Sequence, residues 1–353
     1  MGKEIRLLSK KIGDEYPPFI IAEMSGNHNQ SLDRALLLVD AAASAGAHAL
    51  KLQTYTADTL TIDCDLPDFL ISNSKSLWKG KTLYDLYKEA YTPWEWHLPI
   101  FERARKHGMI PFSTPFDDSA VDFLEELEVP FYKIASFENN HFPLLRKVAR
   151  TGKPVIMSTG LATLADLEAA VSTLRENGCD QIILLKCTSS YPSSPVDSNI
   201  RTIPDMAARF DCHVGLSDHT LGVGVALAAI SLGARVIEKH FTLSRTEGGV
   251  DSAFSLEPAE LKLLVEESER AFLALGKINY EILPAEVQNI SFKRSIYIVQ
   301  DVKRGEVLSE NNIAVIRPGH GASPKFFEKF LGKKAKRDIA RGTPLSDALT
   351  ENL

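Results

Sequence analysis

The chain has 353 residues, 44% of them hydrophobic and 24% charged, with a formal net charge of −6. That length suits one large core domain plus a small one, and the balance is that of an ordinary soluble protein. A net negative chain lacks the basic stripe of a nucleic-acid binder. No apolar run approaches the roughly 20 residues of a membrane span, and the charged residues 1–14 hold no signal-peptide core, so a cytoplasmic location is expected. Cys64, Cys179, Cys187 and Cys212 form no CxxC pair and are expected to be buried or inert thiols.

Residues 19–276 alternate short apolar runs with amphipathic helical patterns. Phe19-Ile-Ile-Ala-Glu23 reads as a strand. Ser31 is placed to cap a helix through Leu36, Val39 and Ala43, which Gly46 ends. Residues 48–53 form the next predicted strand. Pro93 stands near the start of a helix over 94–107. A strand at 109–113 is followed by a helix near 120–127. Further strands are predicted at 131–135, 154–158, 181–187, 213–217 and 235–240, separated by helical stretches, and a long helix at 258–275 closes the series. Apolar strands alternating with helices imply a parallel sheet of the α/β class, and eight such units imply a (β/α)8 TIM barrel of the usual size. A doubly wound sheet is the alternative. It needs no closure at eight units, and the glycine-rich fingerprint of its dinucleotide site is missing.

Residues 54–92 make a long insertion holding Trp78, Tyr84, Tyr87 and Tyr91. It reads either as a lid over the barrel mouth or as a helical excursion packed on the rim. The predicted organisation is an N-terminal extension at 1–15, a catalytic barrel at 16–276, a polar linker at 277–291 and a tail at 292–353. The tail holds a short repeat, Asp301-Val-Lys-Arg-Gly-Glu-Val-Leu-Ser309 and Asp338-Ile-Ala-Arg-Gly-Thr-Pro-Leu-Ser346. Two copies are too few for a solenoid and suggest a small β-rich domain with pseudo-twofold character.

A barrel of this kind carries its chemistry at the C-terminal ends of its strands. Polar residues collect there: Glu23, Lys51 and Gln53, Ser113 and Thr114, Lys133, Ser136 and Glu138, Ser158 and Thr159, Lys186, Thr188 and Ser189, Ser217 to Thr220, and Glu238 to His240. Buried lysines are costly unless paired or titrated. One explanation is an anionic substrate whose phosphate and carboxylate use two ammonium groups and several hydroxyls. A second is a Schiff-base lysine, and a third is structural pairing with Glu23, Glu138 or Glu238. His219 and His240 end neighbouring strands, so their imidazoles are placed to share a cation. Abundant oxygen donors favour a hard divalent metal, Mn2+ or Mg2+, although imidazole also suits Zn2+. Gly222 and Gly224 suit a tight turn at a helix start, and a phosphate there is the less favoured reading.

Several of these stretches are familiar as a set. Phe19-Ile-Ile-Ala-Glu-Met-Ser-Gly-Asn-His28, Ala49-Leu-Lys-Leu-Gln-Thr54, Phe112-Ser-Thr-Pro-Phe116, Tyr132-Lys-Ile-Ala-Ser136, Met157-Ser-Thr-Gly160, Gly215-Leu-Ser-Asp-His-Thr220 and Glu238-Lys-His-Phe241 resemble the sialic acid synthase family. The tail, with Ile316-Arg-Pro-Gly319, is similar to that family's SAF (antifreeze-like) domain. Within the family, Leu77-Trp-Lys-Gly-Lys-Thr-Leu-Tyr-Asp-Leu-Tyr87, Tyr91-Thr-Pro-Trp-Glu-Trp-His97 and Gly248-Gly-Val-Asp-Ser-Ala-Phe-Ser255 look most like the pseudaminic acid branch, ahead of the legionaminic and neuraminic branches.

The resemblance implies condensation of phosphoenolpyruvate with an amino-sugar aldehyde. It implies that His219 and His240 hold the metal and that Glu23 lies at the reacting centre. Lys51, Thr114, Lys133, Ser136, Ser158, Ser189 and Ser217 would surround phosphoenolpyruvate, with Ser189 standing where the neuraminic branch carries Asn. Gln30 stands where relatives often carry Gly. Glu138, Tyr191 and Asp251 would face the sugar. The partner subunit's Arg317 would close the site in a domain-swapped homodimer. A Schiff-base aldolase and a non-catalytic sugar-binding protein are the readings from other classes.

Overall fold

The computed structural model describes residues 4–74 and 76–351. The chain divides into two compact units, Met1–Gly276 and Lys277–Leu353.

The first unit begins with an antiparallel hairpin of β1 (Ile5–Leu7) and β2 (Lys10–Ile12). Its apolar residues Ile5, Leu7 and Ile12 are buried in one cluster with Phe19, Ile21, Phe112 and Phe131 from the starts and middles of the following strands. The residues read from sequence as a charged extension therefore plug the N-terminal end of the barrel.

Eight parallel strands follow: β3 (Phe19–Glu23), β4 (Ala49–Thr54), β5 (Ile110–Pro115), β6 (Tyr132–Ile134), β7 (Val155–Ser158), β8 (Ile182–Cys187), β9 (His213–Asp218) and β10 (Val236–His240). Their ladder runs β5-β4-β3-β10-β9-β8-β7-β6. The end strands β5 and β6 lie with Cα atoms within 8 Å of each other, so the sheet closes on itself as a TIM barrel.

Local chemistry sets the helix ends. Ser31 accepts from Arg34 N–H and caps the helix Leu32–Ser44, while Gly46 at φ +87° turns the chain back toward β4. Thr163 caps the helix Leu164–Glu176 through a reciprocal bond with Asp166.

Strand alternation divides the side chains into two sets. Phe19, Ile21, Ala49, Phe112, Phe131, Ile156, Ile183, Leu185 and Val236 fill the barrel interior. Ile20, Ala22, Leu50, Leu52, Tyr132, Met157, Leu184, Leu216 and Ile237 belong to the larger core between barrel and helices. Continuing the inward parity toward the strand ends brings Glu23, Lys51, Thr114, Lys133, Ser158, Cys187, Ser217, Glu238 and His240 to one mouth.

The second unit has its own core around Ile296, Ile298, Leu308, Ile313, Phe330 and Leu345. The segment expected as a plain linker holds a 3-10 helix, Pro284–Phe292. Strands β11 (Ser295–Ile298) and β12 (Ile313–Ile316) pair antiparallel. The sequence repeat has a reciprocal counterpart in the hydrogen bonding. Val302 and Ile339 exchange backbone bonds of 2.9 and 2.8 Å. Asp338 Oδ1 accepts from Arg304 N–H, and Asp301 Oδ1 accepts from Arg341 N–H, each at 2.8 Å. Among the described residues, no helix is long and apolar enough to cross a membrane.

Candidate active site

Four buried charges lie at the centre of the mouth. Lys51 Nζ is 2.5 Å from Glu23 Oε2 and 3.5 Å from Glu238 Oε1. Lys133 Nζ lies 3.2 Å from the same Glu238 oxygen. All four side chains are at most 4% exposed. Burial pushes the Glu238 carboxyl up, but Lys133 and Lys51 on either side outweigh it and hold Glu238 ionised. Burial opposes the charge on Lys51, and Glu23 and Glu238 restore it. Lys133 is left with a lowered pKa because burial outweighs its one close carboxylate. Burial raises the Glu23 carboxyl in spite of Lys51 beside it, so an incoming anion competes chiefly with Glu238 for the two lysines. A Schiff-base lysine is reached as a neutral amine, the direction in which burial moves Lys133, while Lys51 and Lys133 each lie within ion-pair distance of Glu238. Glu138, the third partner considered for them, makes no ion pair to either; it lies in the 3-10 turn Ser136–Glu138 after β6.

Hydroxyls line the adjacent wall. Thr114 Oγ1 accepts from Lys51 Nζ at 3.2 Å, and Ser217 Oγ donates to Glu238 Oε1 at 3.3 Å. Ser136 Oγ accepts from Gly160 N–H at 3.1 Å. Ser158 Oγ is buried without a hydrogen-bond partner among the described residues. A Cβ on Gly160 would overlap Ser189 Oγ and come within 2.7 Å of Ser136 Oγ. The glycine thus lets the Ser189 and Ser136 hydroxyls close onto the backbone, and hydroxyls gathered at a mouth that also holds two lysines are the chemistry of a phosphate or carboxylate site.

The two imidazoles stand at the same mouth, with ring centroids 5.3 Å apart. His219 Nδ1 donates to the Thr188 carbonyl at 3.0 Å, which orients the ring; burial pulls the His219 imidazole down, but Cys187 and that carbonyl outweigh it and raise it, so a cation binding at Nε2 would displace a proton. Burial, with His219 nearby, pushes His240 well below the ordinary imidazole range, so it is neutral. Its Nδ1 is a buried orphan, 3.6 Å from Asp251 Oδ2. Two neutral-capable ring nitrogens, one orphaned and one oriented by a carbonyl, fit a divalent cation. Among the described residues no group of three or more His, Cys, Asp or Glu side chains forms a closed cage. Substrate or water oxygens would complete such a shell.

Glu138, Tyr191 and Asp251, the residues expected to face a sugar, are all largely enclosed. Glu138 is 8% exposed, and burial raises its carboxyl to about 7. The Ser25 hydroxyl donates to Asp251 Oδ2, and burial raises the Asp251 carboxyl as well. Tyr191 packs on His219 with ring centroids 4.4 Å apart, and burial keeps its phenol protonated. The insertion has two parts. Its helices Ala57–Leu60 and Leu83–Ala90 pack on the rim, where Tyr87 meets Tyr55 edge-on. Trp78 reaches over the mouth, packs 5.8 Å from the Tyr191 ring and donates to the Val250 carbonyl at 2.9 Å. Arg317 follows β12 in the second unit and is exposed.

Three contributors were not singled out as site residues from sequence. Glu238 is the shared acceptor of both lysines; its parity with His240 was the available signal. Cys187 ends β8 with its thiol 4.0 Å from His219 Nδ1. The thiol is buried, as expected; burial pushes it up, but His219 brings it down to about 7. Gly160 acts through the space it leaves. Lys186 points away from the interior and donates to the Cys187 carbonyl. A cavity of about 350 Å³ lined by Lys10, Tyr16, Phe19 and His48 lies at the opposite end of the barrel and contains none of these groups.

Comparison with known proteins bears directly on this arrangement. The NeuB family model matches residues 38–280, and the SAF domain model matches residues 293–349. The chain belongs to the NeuB family. This NeuB chain is 43% identical over 330 residues to a pseudaminic acid synthase of Campylobacter jejuni, covering 94% of this chain and 96% of that one. It is 43% identical over 331 residues to the pseudaminic acid synthase of Helicobacter pylori, covering 94% and 97%. Among solved structures it is similar to an N-acetylneuraminic acid synthetase of Leptospira borgpetersenii in complex with citrate. There the TM-score is 0.72 at 36% identity, over 82% of this chain and 96% of that one. The NeuB barrel and its SAF domain are thus the two units described above.

Proposed function

We propose that this enzyme is a transferase that condenses phosphoenolpyruvate with 2,4-diacetamido-2,4,6-trideoxy-L-altrose and water, giving pseudaminic acid and phosphate. The observation that carries the reading is the gathering of Lys51, Lys133, the Ser136–Ser189–Gly160 cluster and the neighbouring imidazoles of His219 and His240 at one mouth of the barrel. The likeness to two pseudaminic acid synthases supports this sugar over its epimers.

Lys51 and Lys133 take the phosphate and carboxylate of phosphoenolpyruvate, with Thr114, Ser136, Ser158, Ser189 and Ser217 donating or accepting around them. His219 and His240 are the ligands for Mn2+ or Mg2+, and Asp251 sits against His240. When bound, that metal supplies Lewis acidity toward the aldehyde oxygen. C3 of phosphoenolpyruvate forms the new bond to the aldehyde carbon, and water adds at C2. The resulting tetrahedral centre expels phosphate with cleavage of its C–O bond. Glu23 is fully buried and pairs with Lys51. From there it orients the aldehyde or takes a proton from the attacking water. Holding both substrates in a water-poor mouth supplies much of the acceleration. Glu138, Tyr191 and Asp251 hold the sugar.

The family resemblance supports a domain-swapped homodimer as part of the same proposal, with the partner subunit's Arg317 serving the sugar. It also supports a cytoplasmic location, where phosphoenolpyruvate is made.

The test is phosphate release from phosphoenolpyruvate with the altrose, N-acetylmannosamine and the legionaminate precursor, with Mn2+ or chelator, in wild type and His240→Ala. Mn2+-dependent release with the altrose alone, abolished in His240→Ala, is expected. Release with another sugar moves the substrate and keeps the chemistry. No release with any of them overturns the proposal.

A further inference from the structure

His219 lies just beyond β9, and His240 is the last residue of β10, where its rung faces Glu23 of β3 and not β9. The β9–β10 ladder has Val236 opposite Gly215, Ile237 opposite Leu216, Glu238 opposite Ser217 and Lys239 opposite Asp218, and there it ends. No further rung of that ladder sets the distance between the two imidazoles. What joins the strands at that point is a side-chain pair on the other face. Asp218 immediately precedes His219, and Lys239 immediately precedes His240. Alternation points both outward, among the apolar side chains between barrel and helices, while the histidines point in.

The outward pair is a complete clamp. Lys239 Nζ is 3.0 Å from Asp218 Oδ2, with the two side chains 0% and 2% exposed. The same ammonium donates to the Thr220 carbonyl at 2.5 Å. Asp218 Oδ1 accepts from Thr220 N–H at 2.9 Å. His219 is therefore straddled: the residue before it and the residue after it are both tied to Lys239, whose neighbour is His240.

A buried ion pair is a poor device for stability alone. Two well-packed apolar residues among Leu216, Ile237 and Ala22 would serve as well or better, because the charges first lose their hydration. Its use lies in specifying geometry.

We propose that the Asp218–Lys239 pair is a positioning device that sets the spacing of His219 and His240 for the divalent metal. The inference rests on the metal-dependent reading above. Neither residue touches substrate or metal; both act through the histidines that follow them.

The test is Mn2+ affinity of the full-length enzyme, read by electron paramagnetic resonance of free Mn2+, alongside thermal unfolding and the KM for phosphoenolpyruvate. The double variant Asp218→Asn/Lys239→Met removes both charges at nearly constant volume. It is expected to melt close to wild type while its Kd for Mn2+ rises about 10- to 100-fold, the usual cost of losing a partner that orients a metal ligand. Its KM for phosphoenolpyruvate should stay within about threefold, because Lys51 and Lys133 lie inside the barrel and are untouched. A folded double variant binding Mn2+ within about twofold of wild type overturns the proposal, because a purely structural pair predicts that result. Should the double variant fail to fold, Asp218→Asn alone is read in the same way, since it keeps an acceptor for Thr220 N–H. His219→Ala separates the two layers of the argument. Unchanged Mn2+ affinity there overturns the metal reading and the clamp together, whereas loss there with no effect of the double variant overturns the clamp alone.

Discussion

Replacing Glu138 by Gln should make the protein more stable, and only at neutral and alkaline pH. Glu138 is 8% exposed, its Oε2 has no hydrogen-bond partner among the described residues, and burial raises its carboxyl from an ordinary 4.5 to about 7. Between those values the folded state holds a proton that the unfolded chain has released. The wild type therefore has its full stability from this group below about pH 4.5 and loses it as pH rises through about 7. Taken over 2.5 pH units, the loss is about 3 kcal/mol at pH 8 and under about 1 kcal/mol at pH 5. A neutral amide of the same shape avoids it. Urea unfolding of Glu138→Gln and wild type at the two pH values reads the difference directly. A gain of equal size at both pH values, or a loss at pH 8, would refute the assignment of Glu138 as a desolvated acid. Under the proposed function the same variant should raise KM for the sugar while leaving that for phosphoenolpyruvate little changed.

Gly160→Ala should raise KM for phosphoenolpyruvate on the order of 10-fold or more, because the new methyl displaces the Ser189 and Ser136 hydroxyls and presses on Ser136 Cβ; an unchanged KM in the folded variant would move the anion elsewhere. Leu7→Ala, at the plug of the barrel, should cost about 2–5 kcal/mol in urea unfolding, and a value near zero would mean that the hairpin is dispensable. A chain ending at Gly276 should retain the barrel by circular dichroism but lose phosphate release if the partner's Arg317 serves the site; full activity would count against the swapped dimer.

The barrel was legible because its strands are buried on both faces and read as continuous apolar runs. The predicted bounds of β3 agree with the structure, and those of β4 to β10 fall within two residues of it. The hairpin Ile5–Leu7 with Lys10–Ile12 was missed, because three-residue strands flanked by charges leave too short an alternation to register. At the mouth, residue type drew attention to the lysines and histidines. Parity was the finer signal. It sends Glu238 inward to be shared by Lys51 and Lys133, and Lys239 outward to Asp218, although the two are adjacent and equally polar. Trp78 could be noticed as aromatic within the insertion, but its place over Tyr191 depends on long-range packing that no local pattern encodes.

The reciprocal bonds of the second unit reach beyond this chain. Asp301 completes the turn at Arg341, and Asp338 completes the turn at Arg304, so each copy of the repeat supplies the acceptor its sister lacks. A polypeptide carrying a single copy would leave its own turn unanswered and find the acceptor only in a second molecule of itself. Loss of either Asp would therefore loosen a turn in the opposite copy, so the two halves of the repeat are tied to each other's integrity.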